Sequence, residues 1–461
     1  MEGGPMESKR VTIVGGGLAG SEAAWQIARR GFPVTLHEMR PTKMTAAHRT
    51  GRCAELVCSN SFRGKDLRNA VGLLKEELAL LGSLIMEAAM ASEVPAGGAL
   101  AVDRNAFSEF IDSRLAAHPL IRFIREEVTT IPEASRTAPV IVATGPLTSP
   151  ELAAAIERLL GTKHFAFYDA ISPIVLAESL NLDQMFRGSR YEKGAGDDYL
   201  NIPLNREQYY AFVRDVAYGE KFSGHEDVEG SMSETLKPFE GCMPIEDMVE
   251  RGPDTLLFGP LKPVGLVDPL TGKRPYAVVQ LRMDDRAGKR WSMVGMQTRL
   301  RQGEQLRIFR TLPGMEDAEF VRLGSVHRNS FINSPQCLAP TLELRRVPGF
   351  FFAGQLTGVE GYVESTAGGL LAGINAARLL GDEEPITFPI ETAIGALMAY
   401  ISDPSRVDFQ PMNIHYGLMP SYLAAETRDQ SGKKIPKRLR RLRVAEHARA
   451  QVEAIAKTAN L

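Results

Sequence analysis

The first apolar run of the chain leads directly into glycines and then into a segment of helical periodicity. Residues 10–14 read RVTIV, residues 15–20 read GGGLAG, and residues 21–30 are alanine-rich and end in two arginines. This order predicts a strand, a tight turn and a helix, which stops at Gly31. Such a turn holds a pyrophosphate on the backbone amides of a helix N-terminus, where the helix dipole favours negative charge. The segment therefore predicts a dinucleotide site that includes Gly15, Gly16, Gly17 and Gly20.

An acidic residue stands where such a site requires one. The next apolar run, Val34–His37, predicts a second strand, and Glu38 closes it with Arg40 nearby. An acid about 20 residues after the glycines binds the ribose hydroxyls of an adenosine. A free 2′-hydroxyl fits either NAD or the adenosine half of FAD. The flanking strand and helix, together with this acid, make the glycine motif a specific signal of dinucleotide binding.

The pattern of apolar positions changes twice along the chain. Up to about residue 165 it predicts a helix from the low 70s to Ala91, a helix from Asp103 to Leu115 and a buried strand at 140–142. Residues 166–324 contain frequent prolines, many aromatics and short β-prone runs, and from about residue 325 the glycine-rich pattern returns. We expect an α/β protein with a Rossmann-like dinucleotide-binding domain (residues 8–165 and 325–461) and an inserted α+β domain (residues 166–324).

Two features favour FAD over NAD. Thr144 and Gly145 follow the strand at 140–142, and Gly354 and Gln355 follow the apolar run at 350–352. With the N-terminal turn they match the three-part pattern of two-dinucleotide-binding flavoproteins. No second GxGxxG follows, so no dedicated nicotinamide domain is expected. The clustered glycines after Gln355 favour a close approach of the cofactor over helix packing alone; they are Gly358, Gly361, Gly368, Gly369 and Gly373.

Composition narrows the class of protein. The chain has 461 residues, 44% hydrophobic and 24% charged, which is ordinary for a globular protein. A net charge of −2 gives no general attraction to nucleic acid, so such a partner needs a local basic patch. The N-terminus lacks the apolar region of a signal peptide, and no apolar run is long enough to span a membrane. Four cysteines without a secretory signal favour reduced thiols and a cytoplasmic protein.

The cysteines allow more than one interpretation. Cys53 and Cys58 have the C-x4-C spacing of the redox pair in flavin-dependent disulfide reductases, but residues 54–57 contain no glycine or asparagine. Two thiols alone leave zinc underliganded, so no metal site is expected. Cys242 shortly precedes Pro244, which fits the first position of a helix, and a thiol ahead of a helix is favoured as the thiolate. Taken alone, Cys242 is as consistent with a small buried residue as with a nucleophile.

Five strings of the chain resemble one family of enzymes. They are AELVCSNS (54–61), EGCMPIE (240–246), GKRPYAVVQLR (272–282), HRNSFINSP (327–335) and GQLTGVEGYVES (354–365). In these strings the chain resembles the folate- and FAD-dependent tRNA uracil-5 methyltransferases, the TrmFO family, which is related to the GidA-type flavoproteins. The likeness covers nearly the whole chain apart from its first residues and its basic C-terminus.

The resemblance implies a definite reaction. A T-loop uridine of tRNA becomes ribothymidine, with the carbon from 5,10-methylenetetrahydrofolate and the hydride from NAD(P)H, both by way of FAD. Cys242 takes the position of the family's nucleophile on uracil C6, and Cys58 that of a second, flavin-proximal cysteine with a basic or protective role. Candidate substrate contacts are Lys273, Arg274, Arg282, His327 and Arg328. The first three are equally consistent with surface charges.

Alternatives stay open on the sequence. One is a flavin-dependent disulfide oxidoreductase that uses Cys53 and Cys58, and another is a GidA-type flavoprotein that modifies the wobble uridine of tRNA. The basic tail between Arg428 and Arg449 is as consistent with a solvated helix face as with contacts to nucleic-acid phosphates. The oligomeric state is not determined by the sequence.

Overall fold

The structure is a computed structural model, and it describes residues 9–45, 47–161, 165–194, 196–222, 243–407, 409–423, 427–428, 431 and 433–461. For residues 165–169, 326–328 and 423 it describes the backbone only. The strands are β1 Val11–Val14, β2 Val34–His37, β3 Ser61–Gly64, β4 Glu93–Val94, β5 Ala99–Val102, β6 Ile121–Ile124, β7 Val140–Val142, β8 Phe165–Ala170, β9 Ile174–Leu176, β10 Phe186–Arg187, β11 Tyr199–Leu204, β12 Ala277–Met283, β13 Arg290–Met293, β14 Phe320–Arg322, β15 Val326–Phe331 and β16 Phe350–Phe352. The helices are α1 Leu18–Ala28, α2 Ala70–Leu80, α3 Leu84–Ala91, α4 Arg104–Ala116, α5 Pro150–Leu160, α6 Arg206–Tyr218, α7 Ile245–Glu250, α8 Thr255–Phe258, α9 Gln302–Phe309, α10 Ser334–Cys337, α11 Tyr362–Leu380, α12 Ala393–Ser402, α13 Pro420–Leu423 and α14 Lys437–Thr458.

Four strands from the first 142 residues and the later strand β16 form one parallel sheet. Its strand order is β16-β7-β1-β2-β6, and every neighbouring pair is parallel. The strands are nearly continuous apolar runs, as expected for a sheet that is covered on both faces. The order reverses direction at β1, and ligands of such sheets bind at the carboxyl ends of the strands beside that point. The predicted Rossmann-like fold is confirmed.

A second, antiparallel sheet has its own core, and two smaller antiparallel sheets, β15-β8 and β3-β5-β4, contain the remaining described strands. The second sheet has six strands in the order β10-β11-β12-β13-β9-β14. Its buried apolar residues, from Val175 to Ala318, form a cluster separate from the one around the parallel sheet. The boundaries at residues 166 and 324 stay a prediction, which the two separate cores support.

One predicted helix is interrupted. The periodicity from the low 70s to Ala91 predicted a single helix, and that prediction is wrong, because α2 ends at Leu80 and α3 begins at Leu84. Gly82 takes a left-handed conformation (φ +70°) between them, and the Ser83 side chain accepts a hydrogen bond from the Met86 amide as the cap of α3. The apolar period runs across the break, so it could not reveal the turn. Similarly, Pro244 is the N-cap of α7 and not its first residue.

A buried carboxyl group links α2 to the start of α12. Glu77 is fully buried, and its two oxygens accept the Ala393 and Ile394 amides at 2.7 and 2.9 Å. Those amides belong to the first turn of α12, where the helix dipole favours negative charge. Burial nevertheless raises the pKa of Glu77 to about 7, against the effect of the two amides.

The Glu77 pKa predicts a pH-dependent contribution to stability. Because the folded pKa is raised, the contribution is complete below the unfolded pKa and is lost as pH rises from about 4.5 to about 7. Glu77→Gln cannot titrate, so the unfolding free energy of the unsubstituted protein should fall relative to this variant by about 1 kcal/mol per pH unit across that window. Urea unfolding near both limits measures this difference. The exposed Glu446→Gln provides the control, and a difference independent of pH would show that Glu77 does not titrate in this window.

Candidate active site

A cavity lies at the carboxyl edge of the parallel sheet, between the N-terminal turn and the C-terminal turn. It offers about 1250 Å³ of empty space, including the part that opens to solvent, which is ample for a dinucleotide. Both turns and the strand ends supply its walls. The predicted cofactor residues that line it are Gly15, Gly17, Glu38, Arg40, Thr144, Gly145, Gly354 and Gln355.

The glycine turn leaves backbone amides available at the start of α1. Gly15 has a φ of +105°, and a Cβ there would lie 2.6 Å from the Ala143 carbonyl oxygen, so no side chain fits. Gly17 faces open space, with no atom within 4 Å of an added Cβ. No side chain of the described residues caps α1, and its first turn holds no acid. This turn fits the pyrophosphate of a dinucleotide.

Glu38 is fixed at the next strand end. Its carboxylate accepts the Gly16 amide at 2.9 Å and the Arg40 Nε at 2.8 Å, and it is 6% exposed. Burial raises the pKa of this carboxyl, but the hydrogen bonds and charge of Arg40 outweigh burial and leave the pKa lowered. Glu38 is therefore ionised at neutral pH and faces the cavity as an acceptor for ribose hydroxyls.

The neighbouring histidine offers a further polar atom. His37 lines the same cavity, and its Nδ1 is buried without a hydrogen-bond partner. Burial lowers the pKa of this imidazole, which favours its neutral form. A buried unpaired nitrogen beside Glu38 fits a contact to the adenosine end of the cofactor, and the whole constellation fits FAD.

Other predicted glycines lie at helix contacts. A Cβ on Gly20 would lie 1.8 Å from the Gly15 carbonyl oxygen, and one on Gly369 would lie 2.2 Å from the Ala19 carbonyl oxygen. An added Cβ on Gly368 would meet the Gly354 amide at 3.1 Å, and Gly361 directly precedes α11. These positions let α1, α11 and the C-terminal turn approach closely. Direct contact of these glycines with the cofactor stays a prediction.

Cys58 lies at the cavity, whereas Cys53 lies beneath the glycine turn. Cys58 and Tyr362 both line the cavity, and the Cys58 Sγ is 3.1 Å from the Tyr362 hydroxyl oxygen. Cys53 has no exposed surface, and its sulfur would be 3.1 Å from a Cβ on Gly16. Burial, reinforced by Asp112, raises the pKa of Cys53 to about 12. A sealed thiol of this kind is a poor partner for disulfide exchange, which argues against the disulfide oxidoreductase.

Comparison with known proteins assigns this chain to a family. The family described as "Glucose inhibited division protein A" matches residues 10–384. A "Methylenetetrahydrofolate--tRNA-(uracil-5-)-methyltransferase TrmFO" of Symbiobacterium thermophilum is 56% identical over 429 residues, which cover 93% of this chain and 94% of that protein. The protein of the same name from Pelobacter propionicus is 56% identical over 96% of this chain and 93% of its own length. The chain belongs to the TrmFO family.

A solved structure supports the fold of this TrmFO-family chain. GidA of Aquifex aeolicus superposes with a TM-score of 0.66 at 17% identity, covering 96% of this chain and 76% of that one. At this identity the likeness shows the shared fold alone.

The candidate substrate residues of the TrmFO-family chain lie in different environments. Lys273 and Arg274 are exposed in the segment before β12. Arg282 is 8% exposed and bonds to the Asn60 side chain, so it is not the exposed cation that an RNA phosphate would meet. A contact from Arg282 to folate stays a prediction.

The side chains of three predicted site residues lie outside the described part of the structure. Cys242 lies outside the described residues, directly before Met243, which is 3% exposed. The side chains of His327 and Arg328 are likewise outside the description, although their backbone lies in β15 beside Asn329, which lines the cavity. The roles of these three residues stay predictions.

Sequence reasoning overlooked Tyr362 as a functional candidate. It follows Gly361 in the glycine-rich run, and nothing in its local sequence sets it apart from a core aromatic. Its contact to Cys58 joins residues more than 300 positions apart along the chain. The only hint available was that Cys58 and Tyr362 both occur in strings that resemble the TrmFO family.

The described part of the chain lacks two kinds of feature. None of its helices combines the length and the apolar character that a membrane-spanning segment needs. Nor does it contain a group of three or more histidine, cysteine, aspartate or glutamate side chains that could hold a metal ion.

Proposed function

We propose that this chain methylates C5 of the T-loop uridine of tRNA, with 5,10-methylenetetrahydrofolate as carbon donor, FAD as cofactor and NAD(P)H as reductant. The observation that carries the proposal is that Cys58 lies at the same cavity as the glycine turn and Glu38. The 56% identity to methyltransferases of that name over nearly the whole chain supports the substrate class. The reaction would take place in the cytoplasm, where tRNA and reduced folates occur.

The chain's thiols supply the covalent chemistry in this proposal. Uracil C5 is a poor nucleophile, and addition of the Cys242 thiolate to C6 places negative charge on the ring and makes C5 reactive. C5 then bonds to the donated one-carbon unit, a base removes the C5 proton, the Cys242 thiolate leaves C6, and a hydride completes the methyl group. When bound in the cavity, FAD would supply the one-carbon and hydride chemistry. Cys58 and Tyr362 line that cavity, so they are the described side chains best placed to act there.

A direct assay tests the proposed function. Unmodified tRNA, labelled methylenetetrahydrofolate and NADPH are incubated with the FAD-loaded protein, and nucleosides are separated after digestion. We expect label in ribothymidine from the T-loop, and none when the target uridine is replaced by cytidine. Label at the wobble position instead would support the GidA-type alternative and contradict the proposal.

The T-arm must be held while the target base leaves its stack. Extruding a base costs about a few kcal/mol, which contacts to the RNA backbone have to offset. The basic tail enters the long helix α14 at Lys437, and it offers exposed cations at Lys434, Arg438 and Arg443. Arg440 and Arg441 instead lie over the Tyr422 ring, with centroid distances of 5.2 and 6.0 Å. We propose that the exposed face of this tail is part of the surface that binds tRNA.

The salt dependence of tRNA binding measures the contribution of the basic tail. The triple variant Lys434→Gln, Arg438→Gln, Arg443→Gln should bind tRNA more weakly, and the slope of log affinity against log salt should fall by about one for each phosphate that the variant no longer binds. The control removes three exposed arginines elsewhere, Arg10, Arg122 and Arg158. Equal slopes for both triple variants would show that the tail makes no specific contact. Filter binding at several salt concentrations provides the data.

A further inference from the structure

The loop between β12 and β13 is bonded to the start of α4. The helix α4 packs into the core around the parallel sheet, here called the first core, whereas β12 and β13 belong to the second core. Arg104 begins α4, and its Nε donates to the Asp284 carboxylate at 2.9 Å. The Arg286 amide donates to the carboxylate of Asp103, the N-cap of α4, at 3.1 Å. The loop therefore joins the two cores at two adjacent points.

Asn60 makes a third connection beside this loop. It has no exposed surface, and its Nδ2 donates to the carbonyl oxygens of Val102 in β5 and Met283 in β12, both at 2.9 Å. Its Oδ1 accepts the Arg282 Nε at 3.0 Å. Because both polar atoms of this side chain are used across the junction, the end of β12 has one preferred place against the first core.

Asp284 is the charged centre of the junction. It is 1% exposed, and the same oxygen that accepts the Arg104 Nε also accepts the Ser292 hydroxyl at 2.8 Å. Burial raises the pKa of this carboxyl, but the charge and hydrogen bond of Arg104 outweigh burial and leave the pKa lowered, so Asp284 is ionised at neutral pH. Separating such a pair would leave a buried charge without its partner. The pair therefore resists any shift of one core against the other.

The second core continues from this sheet to the residues that follow Cys242. The Gln297 carbonyl oxygen, four positions after β13 ends, accepts the Ile245 amide at the start of α7 at 2.8 Å. Glu246 has no exposed surface and accepts the Arg299 amide at 3.2 Å. Ile245 lies three residues after Cys242 and is part of the second core. The start of α7 is therefore fixed to the same body as β12 and β13.

We propose that Asp284 is a positioning residue: with Arg104 it sets the place of the second core, and so of the segment that carries Cys242, against the FAD cavity. The glycine turn and Glu38 line that cavity at the parallel sheet. A thiolate reacts only from about 3–3.5 Å, and a shift of about 1 Å costs about a hundredfold in rate. The use of this placement rests on the proposed function, whereas the placement itself does not.

Distance measurements test the placement without any methyl transfer. Nitroxide labels on Arg158→Cys in α5 and Arg214→Cys in α6 mark the first and the second core, in FAD-loaded protein that carries Cys58→Ser and Cys242→Ser. Double electron–electron resonance gives the distribution of distances between the labels. We expect one narrow distribution, which Asp284→Asn broadens and shifts because it leaves Arg104 without its counter-charge. An unchanged distribution in Asp284→Asn would overturn the proposal.

Asp285 provides a matched control in the same loop. It is 7% exposed, and it accepts the Lys289 amide at 2.9 Å and the Arg290 Nε at 2.8 Å, so its bonds stay within the hairpin. Asp285→Asn removes one negative charge from the loop, as Asp284→Asn does, but breaks no bond to α4. The distance distribution should therefore stay as it is. A change as large as that in Asp284→Asn would contradict the assignment to Asp284.

Kinetics separate positioning from cofactor binding. With tRNA tritiated at uracil C5, Asp284→Asn should lower the kcat of tritium release by about tenfold or more, while KM for tRNA stays within about twofold. FAD content and flavin reduction by NADPH should not change, because the residues that line the cavity are unchanged. Loss of FAD would show that Asp284 supports the cavity and would contradict the proposal. Expected distances without tritium release from the unsubstituted protein would contradict the proposed function alone.

Two milder variants cover the case in which Asp284→Asn does not fold. Ser292→Ala removes one hydrogen bond to Asp284 but keeps the ion pair, so it should broaden the distance distribution less and in the same direction. Arg104→Gln combined with Asp284→Asn leaves no unpaired buried charge, and it should broaden the distribution no more than either single variant. Additive effects of the two single variants would show that Arg104 and Asp284 act independently, against the proposal.

Discussion

Replacing Cys242 by alanine is expected to abolish methyl transfer to tRNA while FAD stays bound. Without the thiolate, uracil C5 lacks the charge it needs to attack, so the initial rate should fall by about a thousandfold or more. The flavin should remain because the glycine turn and Glu38, which line the cavity, are unchanged in this variant. Label incorporation measures the rate, and the visible absorbance of the purified protein measures its FAD content.

Two further cysteine variants complete this test. Cys337→Ala is the control, since this thiol donates to the Asn333 carbonyl oxygen in α10, and it should keep its activity. Cys53→Ala discriminates against the disulfide oxidoreductase, which would lose disulfide turnover, whereas a methyltransferase should continue. Normal methylation by Cys242→Ala would show that another residue attacks C6.

Gly369→Ala is expected to damage both stability and cofactor binding. The new methyl group would lie 2.2 Å from the Ala19 carbonyl oxygen and 2.6 Å from the Ala19 Cα, both backbone atoms of α1. Neither helix can yield by rotating a side chain, so α1 and α11 must separate. Overpacking of this kind costs about 3 kcal/mol. Ala19 also lines the cavity, so FAD affinity should fall by about tenfold or more.

A matched glycine isolates the effect of this contact. Gly303 in α9 has nothing within 4 Å of an added Cβ, so Gly303→Ala should stabilise the protein by up to about 1 kcal/mol. Thermal unfolding and FAD titration on both variants give the comparison. If Gly369→Ala unfolds at the same temperature as the unsubstituted protein, the two helices are not in the tight contact that the structure shows.

Local sequence patterns were sufficient to predict the elements whose determining residues are adjacent along the chain. The first strand, the glycine turn and α1 follow from apolar positions and glycines adjacent in sequence. The structure confirms these elements, but α1 spans Leu18–Ala28 and not residues 21–30. The strand at 34–37 was predicted with its bounds intact. Periodicity failed at 81–83, because the interrupting turn keeps the apolar positions in phase.

The candidate site was predictable only in part. Glu38, Gly354 and Gln355 were found from their places after strands, since parallel strands end at one edge of the sheet. Arg282 was predicted either as a substrate contact or as a surface charge, because a sequence carries no measure of burial for a long charged side chain. Tyr362 had no local signal.

By itself, the sequence determined the class of cofactor, the Rossmann-like fold and the family. These depend on glycines, strand ends and strings of adjacent residues, which constrain the backbone over short distances. The tertiary structure decided which thiol faces the cavity, which lies sealed beneath the glycine turn, and which charges surround Cys58. Burial and electrostatic fields arise when distant segments pack together. The segment at Cys58 is therefore held by Arg104, Arg322 and Tyr362, which the fold brings to it from three distant parts of the chain.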